Sequence, residues 1–223
     1  MNIVLLGSGG FAREVRDYAL AMASSQGPEG PRFKGYLDVP GSASLLGDAR
    51  WLGQESDYRP EADDRFVLGM ADNARRTEVL ARCSGPGWKS LNVIHPTAVI
   101  APSATLGTGN VFGPFCYVGA NVVIGDHNVF NCGCSVGHDS KLGSNNVLAS
   151  NVQLAGYVEL GDANFLGISA SVIPRMKIGN GSKVQAGTIV AANVPDACLY
   201  FHRDTNKVAF IYAKADPAQL NQD

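Results

Sequence analysis

One histidine in the chain is followed directly by a carboxylate residue. His138 lies between Gly137 and Asp139. An imidazole can take a proton from a hydroxyl or an amine near neutral pH, and an adjacent carboxylate would fix its tautomer and raise its basicity. The pair is therefore a candidate general base, and the alternative is a histidine at a surface corner. The other three histidines are expected to have packing or surface roles: His95, His127 and His202.

A second candidate is a glycine-rich turn near the start of the chain. An apolar run over residues 2–6 predicts a buried strand, and Gly7-Ser8-Gly9-Gly10-Phe11-Ala12 follows it, before a helical pattern that extends to about Ser24. The turn fits Gly-x-Gly-x-x-Ala, in which backbone N–H groups at a helix N-terminus suit a phosphate. The alternative is a tight strand–helix turn that binds nothing.

Asp38 ends a second predicted strand, over residues 33–38. A carboxylate at that point of a nucleotide-binding fold often meets a ribose or a base edge. Asp38 lies some thirty residues beyond the glycines, so an exposed loop carboxylate is the alternative.

The five cysteines do not indicate a disulfide framework or a metal site. Their number is odd, their density is low, and Cys132 and Cys134 lack the spacing and partners of a zinc site. Cys116 and Cys134 are expected in the core instead. This cysteine usage favours a reducing cytoplasm.

Composition excludes several classes of function. The chain has 223 residues, with 18 Lys and Arg against 20 Asp and Glu, so neither a nucleic acid nor an anionic membrane is an expected partner. Residues 90–125 carry no charged side chain, but prolines and glycines interrupt them, so they do not predict a membrane span. The first residues lack the basic region of a signal peptide.

A strict six-residue repeat must position the candidate histidine. Every sixth residue from 94 to 190 is large and apolar, at seventeen positions without an insertion; the next residue is often glycine, and the fifth of each hexad is mostly small. The pattern predicts a parallel β-helix, in which three hexads close one triangular coil and the large residues point to the axis. Residues 91–194 would form about five such coils.

Residues 1–90 predict a Rossmann-like α/β half-domain with three or four parallel strands. A third strand over 65–69 leads to a helix that Asp72 caps and that extends to about Cys83. The absence of a second βαβ half argues against NAD-dependent redox chemistry, while a nucleotide or a nucleotide-linked small molecule would fit. Residues 195–223 are expected to leave the repeat as a cap or tail.

The combination resembles the NeuD/PglD-type sugar acetyltransferases of the left-handed β-helix superfamily, over residues 1 to about 194. The hexapeptide repeat and the block Val136-Gly137-His138-Asp139 carry the resemblance, and the glycine turn supports it. Members acetylate sialic acids or nucleotide-linked amino sugars with acetyl-CoA. The resemblance implies a left-handed coil, a homotrimer with active sites between subunits, acetyl-CoA as co-substrate, no permanently bound cofactor and no membrane insertion.

The resemblance also implies roles for single residues. His138 would be the general base and Asp139 would orient it, while Gly156, one coil later, would offer a free N–H to the thioester carbonyl. The implied acceptor-binding residues are Gly9, Gly10, Phe11, Asp38, Met70 and Asn131. The implied acetyl-CoA groove is lined by Val147, Ile168 and Ala186. Many of these positions also suit core, corner or turn residues.

Three departures from the family pattern leave the acceptor and the donor open. Phe11 stands where many relatives have His, and Met70 replaces a common Gly. The usual Gly-x-Pro-Ala-Lys ending is missing, and Tyr200-Phe201-His202-Arg203-Asp204 stands in its place.

The sequence therefore predicts direct acetyl transfer from acetyl-CoA to the amino group of a nucleotide-activated amino sugar. O-acetylation of a sialic acid or another sugar hydroxyl is an alternative, as is another acyl-CoA donor. A non-catalytic trimeric β-helix that binds a nucleotide-linked ligand is the alternative from a different class.

Overall fold

The computed structural model describes residues 1–41, 45–47, 49–85 and 87–201. The described residues of the N-terminal region form three strands and two helices: β1 (Asn2–Leu6), α1 (Gly10–Ser25), β2 (Arg32–Leu37), β3 (Asp64–Leu68) and α2 (Asn73–Arg82). The strands are parallel, in the order β2-β1-β3. The Asp72 side chain caps α2 by accepting a hydrogen bond from the Arg75 N–H at 2.8 Å. The predicted small α/β region is confirmed.

The rest of the described chain winds into a parallel β-helix of two-residue strands that form three faces. The first face contains β4 (Val93–Ile94), β7 (Val111–Phe112), β10 (Val129–Phe130), β13 (Val147–Leu148), β16 (Phe165–Leu166), β19 (Lys183–Val184) and β21 (Leu199–Tyr200). The second contains β5 (Val99–Ile100), β8 (Tyr117–Val118), β11 (Ser135–Val136), β14 (Gln153–Leu154), β17 (Ser171–Val172) and β20 (Ile189–Val190). The third contains β6 (Thr105–Leu106), β9 (Val123–Ile124), β12 (Lys141–Leu142), β15 (Glu159–Leu160) and β18 (Lys177–Ile178).

The large residue of each hexad points to the axis, as the repeat predicts. Phe112 and Phe130 stack there, with ring centroids 4.6 Å apart and planes 4° from parallel. Cys116 and Cys134 are 2% and 1% exposed, so both are core residues, as expected. The predicted β-helix is confirmed.

The coil extends further than the sequence predicts. Leu199 and Tyr200 pair with Lys183 and Val184, so the last coil continues beyond the expected boundary at residue 194 with a spacing of 16 residues. The earlier coils repeat every 18 residues, as between Asn110 and Asn128. A two-residue deletion after residue 190 therefore hides this coil from a strict search for hexads. His202 and the rest of the expected tail lie outside the described residues.

The N-terminal domain sits on the outer side of the first face. Val93, Val111, Val129 and Val147 of this face share one buried cluster with side chains of β1 and α1. Close by, Arg76 of α2 is fully buried and reaches the coil. Its guanidinium donates to Met70 O at 2.8 Å, to Asn145 Oδ1 at 2.9 Å and to His127 O. Burial lowers the Arg76 pKa to about 10.

Candidate active site

His138 and Asp139 form a hydrogen-bonded pair at the corner between the second and third faces of the coil. The turn from β11 to β12 carries both residues, and His138 Nδ1 lies 2.8 Å from Asp139 Oδ2. An ionised carboxylate only accepts hydrogen bonds, so Nδ1 donates, and in the neutral form of the ring the lone pair is on Nε2. The His138 side chain is 60% exposed, so a solvent-side reactant can reach it.

Asp139 is held by more than the imidazole. Its other oxygen accepts a hydrogen bond from Asn121 Nδ2, one coil earlier, at 3.2 Å. Hydrogen bonds from His138 and Asn121 lower the pKa of the Asp139 carboxyl below its ordinary value, and the Tyr157 side chain contributes a smaller effect in the same direction. The carboxylate therefore stays ionised beside the imidazole at neutral pH.

Gly156 lies one coil after His138 and faces the free imidazole nitrogen. A Cβ added at Gly156 would be 2.9 Å from His138 Nε2, so only glycine leaves room for the ring in this position. Within the described part of the chain, the Gly156 N–H donates no hydrogen bond. A proton acceptor and a free backbone donor thus lie side by side, which is the arrangement that acyl transfer requires.

The glycine-rich turn lies between β1 and α1, at the carboxyl edge of the sheet. Gly9 and Gly10 are exposed, and no described residue has an atom within 4 Å of a Cβ built on either one. Gly9 is the N-cap of α1 and provides no side-chain cap for the first turn. Phe11 is half-buried against the cluster between the two domains. The turn therefore offers an open helix N-terminus.

Asp38 is buried beside the glycine turn. It is 5% exposed, and its carboxylate accepts a hydrogen bond from Ser8 Oγ at 2.6 Å and from the Val39 N–H at 2.8 Å. Arg75 Nη2 lies 3.3 Å from it. Asp38 therefore orders the glycine turn and is no exposed loop carboxylate.

Arg75 is a residue that the sequence reasoning missed at this edge. Its side chain is 54% exposed beside the turn. The only signal available was its place in the first turn of the helix that follows β3.

Met70 and Asn131 occupy two separate places. Met70 is 8% exposed beneath the glycine turn, and its Cε is 3.0 Å from where a Cβ of Gly7 would be. Asn131 lies at the corner between the first and second faces, where its Oδ1 accepts hydrogen bonds from Tyr18 Oη at 3.1 Å and from the Cys132 N–H at 2.7 Å. The structure therefore places Asn131 against α1.

Two of the three residues predicted to line an acetyl-CoA groove lie together. Ile168 and Ala186 border an apolar groove of about 530 Å³ that Leu199 and Phe201 of the last coil complete. Val147 lies elsewhere: it is 3% exposed and packs between the N-terminal domain and the first face. The expectation for Val147 is wrong for this chain, because the N-terminal domain covers the position.

Comparison with solved structures finds the same architecture. A His-to-Asn variant of perosamine N-acetyltransferase from Caulobacter crescentus, in complex with CoA and GDP-perosamine, is 30% identical, with a TM-score of 0.81 over 91% of this chain and 94% of the other. The acetyltransferase domain of PglB from Neisseria gonorrhoeae FA1090, solved in complex with acetyl coenzyme A, is 24% identical, with a TM-score of 0.80 over 90% and 96%. WeeI from Acinetobacter baumannii AYE is 22% identical, with a TM-score of 0.77 over 89% and 96%.

The chain belongs to the hexapeptide-repeat sugar acetyltransferases. The predicted family and enzyme class, an acetyl-CoA-dependent acyltransferase, are therefore confirmed. No protein-family model matches the chain, and no curated protein sequence does.

Within one acetyltransferase chain, the candidate site residues fall into separate groups. The His138 corner joins the second and third faces, whereas the domain that carries the glycine turn covers the first face. In a triangular coil, that corner lies opposite the first face. Among the described residues, no cluster of His, Cys, Asp or Glu could hold a metal ion, and no helix is long and apolar enough to cross a membrane.

Proposed function

We propose that this acetyltransferase moves the acetyl group of acetyl-CoA to the amino group of a nucleotide-activated amino sugar, with His138 as general base. The observation that carries the proposal is the position of His138 Nε2 beside Gly156, whose N–H donates no hydrogen bond to any described residue. The 30% identical relative, which was solved with CoA and GDP-perosamine, supports the donor and the acceptor class.

The reaction is a direct transfer through a tetrahedral intermediate. The neutral amine attacks the thioester carbonyl and forms the C–N bond, while His138 Nε2 takes the proton that the nitrogen loses. Asp139 stabilises the resulting imidazolium, and the Gly156 N–H donates to the oxyanion. Collapse then breaks the C–S bond, and the imidazolium returns its proton to the departing thiolate of CoA. A general base supplies about 10²–10⁴-fold, and one oxyanion donor contributes about 2.7–4 kcal/mol.

Substrate binding uses the two remaining groups of residues. The apolar groove at Ile168 and Ala186 suits the apolar parts of acetyl-CoA. The open N-terminus of α1 at Gly9 and Gly10 suits a diphosphate, and Arg75 adds a cation at the same edge.

Two copies of the chain must supply one complete site, in a homotrimer. The supporting observation is that the glycine turn and the His138 corner lie on opposite sides of the same coil. A neighbouring chain would bring its own N-terminal domain to this corner. We expect the enzyme to act in the cytoplasm, in keeping with the five free cysteines.

The substrate class is tested by the release of free thiol from acetyl-CoA. The acceptors are UDP-, GDP- and dTDP-linked amino sugars, with sialic acid and an amino sugar without its nucleotide as controls. Thiol release that requires a nucleotide-linked amine, with N-acetylated product by mass spectrometry, supports the proposal. Equal release with the nucleotide-free sugar, or release with sialic acid alone, would contradict it.

The shared site is tested by mixing two inactive variants. His138→Ala removes the base, and Gly10→Glu places a carboxylate at the helix N-terminus, where the open space tolerates it. In mixed trimers with sites between chains, about one quarter of the sites would combine two intact halves, so activity should return to about that level. Mixtures that stay inactive, with subunit exchange confirmed by native mass spectrometry, would contradict a site between chains.

A further inference from the structure

All three corners of the coil carry a column of residues with left-handed backbone conformations, and the corner that carries His138 places two long side chains, Tyr157 and Arg175, in consecutive coils of its column. Asn121, Asp139, Tyr157 and Arg175 follow one another in successive coils, and all four have left-handed backbone conformations, with φ of 58°, 59°, 62° and 67°. Asn and Asp adopt this conformation readily, but bulky side chains such as Tyr and Arg are strained there. Such strain persists where the surrounding structure enforces it, often at a functional site.

Tyr157 contacts His138 through both its side chain and its backbone. Its ring meets the His138 imidazole edge-on, with centroids 5.2 Å apart and planes at 85°. The Tyr157 N–H donates to His138 O at 3.0 Å, and the side chain adds to the low pKa of Asp139. Tyr157 therefore packs directly against the imidazole from the following coil.

Arg175 supports the tyrosine ring from the following coil. Its guanidinium carbon lies 4.4 Å from the Tyr157 ring centroid, which is a close cation–π contact. The Arg175 backbone N–H donates to Gly156 O at 3.1 Å. The stack of His138, Tyr157 and Arg175 therefore spans three successive coils. The first carries the proposed base, and the second carries Gly156.

We propose that Tyr157, braced by Arg175, is a positioning residue that holds the His138 imidazole with Nε2 beside Gly156. Its kinetic consequence rests on the function proposed above. Without the ring, the imidazole keeps its hydrogen bond to Asp139 but gains room to tilt out of the reactive position. Small displacements of a catalytic group of this kind cost up to about 10²-fold in rate.

The test uses the backbone strain to separate positioning from stability. Tyr157→Gly removes the ring and its contact with Arg175 but relieves the left-handed backbone, so the melting temperature should change little while kcat falls about 10–100-fold. KM for acetyl-CoA should stay within about threefold, because the groove at Ile168 is untouched. Tyr157→Phe keeps the ring and should retain most of kcat. Ala163→Gly, at a φ of 56° on another corner, is the matched control and should gain stability with unchanged kcat.

Histidine NMR gives a second readout that needs no substrate. In the native trimer, His138 should show one tautomer with the proton on Nδ1, and Tyr157→Gly should show a mixed or exchanging signal. Wild-type kcat in Tyr157→Gly, or an unchanged His138 signal, would overturn the inference. A wild-type enzyme that releases no thiol would contradict the proposed function instead, and the NMR comparison would still decide the role of Tyr157.

Discussion

The coil and the N-terminal domain position their residues in different ways. In the coil, each large apolar residue stacks on the equivalent residue of the preceding coil. Equivalent residues are 18 positions apart, as Asn110 and Asn128 are. The same 18-residue step makes His138 and Gly156 neighbours. The N-terminal domain depends on contacts that occur once, such as Asp64 with Lys34 and Tyr58. Periodic structure therefore fixes the His138 corner by repetition, whereas the edge that carries the glycine turn depends on individual side chains.

The largest expected effect tests the stacking in the coil. Phe130→Ala removes a fully buried ring that stacks on Phe112, and it should lower the free energy of unfolding by about 3–5 kcal/mol. Chemical denaturation of the assembled protein measures the change. A loss below about 1 kcal/mol would show that the repeated stack is not what stabilises the coil.

The next effect concerns catalysis at the corner. Gly156→Ala would place a methyl group 2.9 Å from His138 Nε2 and displace the imidazole, so kcat should fall about 10²–10³-fold. The backbone of Gly156 is not left-handed, so the fold should survive the change. Steady-state kinetics and a melting curve measure the two parts. Near-native kcat would argue that the coil does not bring these two residues into one site.

A smaller effect tests a single contact in the N-terminal domain. Burial raises the pKa of Asp64, but hydrogen bonds from Tyr58, the Glu61 N–H, Lys34 and Asn2 outweigh it and lower the pKa to about 2. The stability from this depressed pKa is present above the unfolded value near 4 and is lost as pH falls towards 2.

Asp64→Asn should therefore destabilise the protein by about 2 kcal/mol at pH 7. Its deficit relative to wild type should shrink as pH falls from about 4 to about 2. Denaturation across this pH range measures the difference, with the exposed Asp17→Asn as control. A deficit that does not change with pH would show that the charge of Asp64 is not what its partners stabilise.

The smallest effect tests how interchangeable the coils are. Cys134 is buried at the same position as Val152 of the next coil. Cys134→Val is nearly volume-conserving, so it should cost less than about 1.5 kcal/mol and leave kcat unchanged. A large loss of activity with the fold intact would give the thiol a chemical role that its place at the axis does not suggest.

The sequence predicted the coil better than the N-terminal domain because the contacts of the coil repeat and those of the domain do not. An unbroken six-residue period fixes which side chains are buried and which residues meet across one coil, so the neighbourhood of His138 and Gly156 followed from counting. The surroundings of Asp38 and the burial of Val147 depend on how the N-terminal domain packs, which no period encodes. The sequence did not indicate Arg75 as a site residue, because only the fold brings the start of α2 to the end of β2. The last coil was not predicted, because its residues follow those of the preceding coil after 16 positions and not after 18.

The measurement that tests the central claim most directly compares wild type with His138→Ala. Thiol release from acetyl-CoA gives kcat, and calorimetry gives the affinity for the nucleotide-linked amino sugar that the acceptor screen identifies. Loss of the base should lower kcat by about 10²–10⁴-fold, with the acceptor affinity nearly unchanged and the oligomeric state the same as that of wild type. A His138→Ala enzyme that keeps wild-type kcat would contradict the account, because another group would then remove the proton from the acceptor.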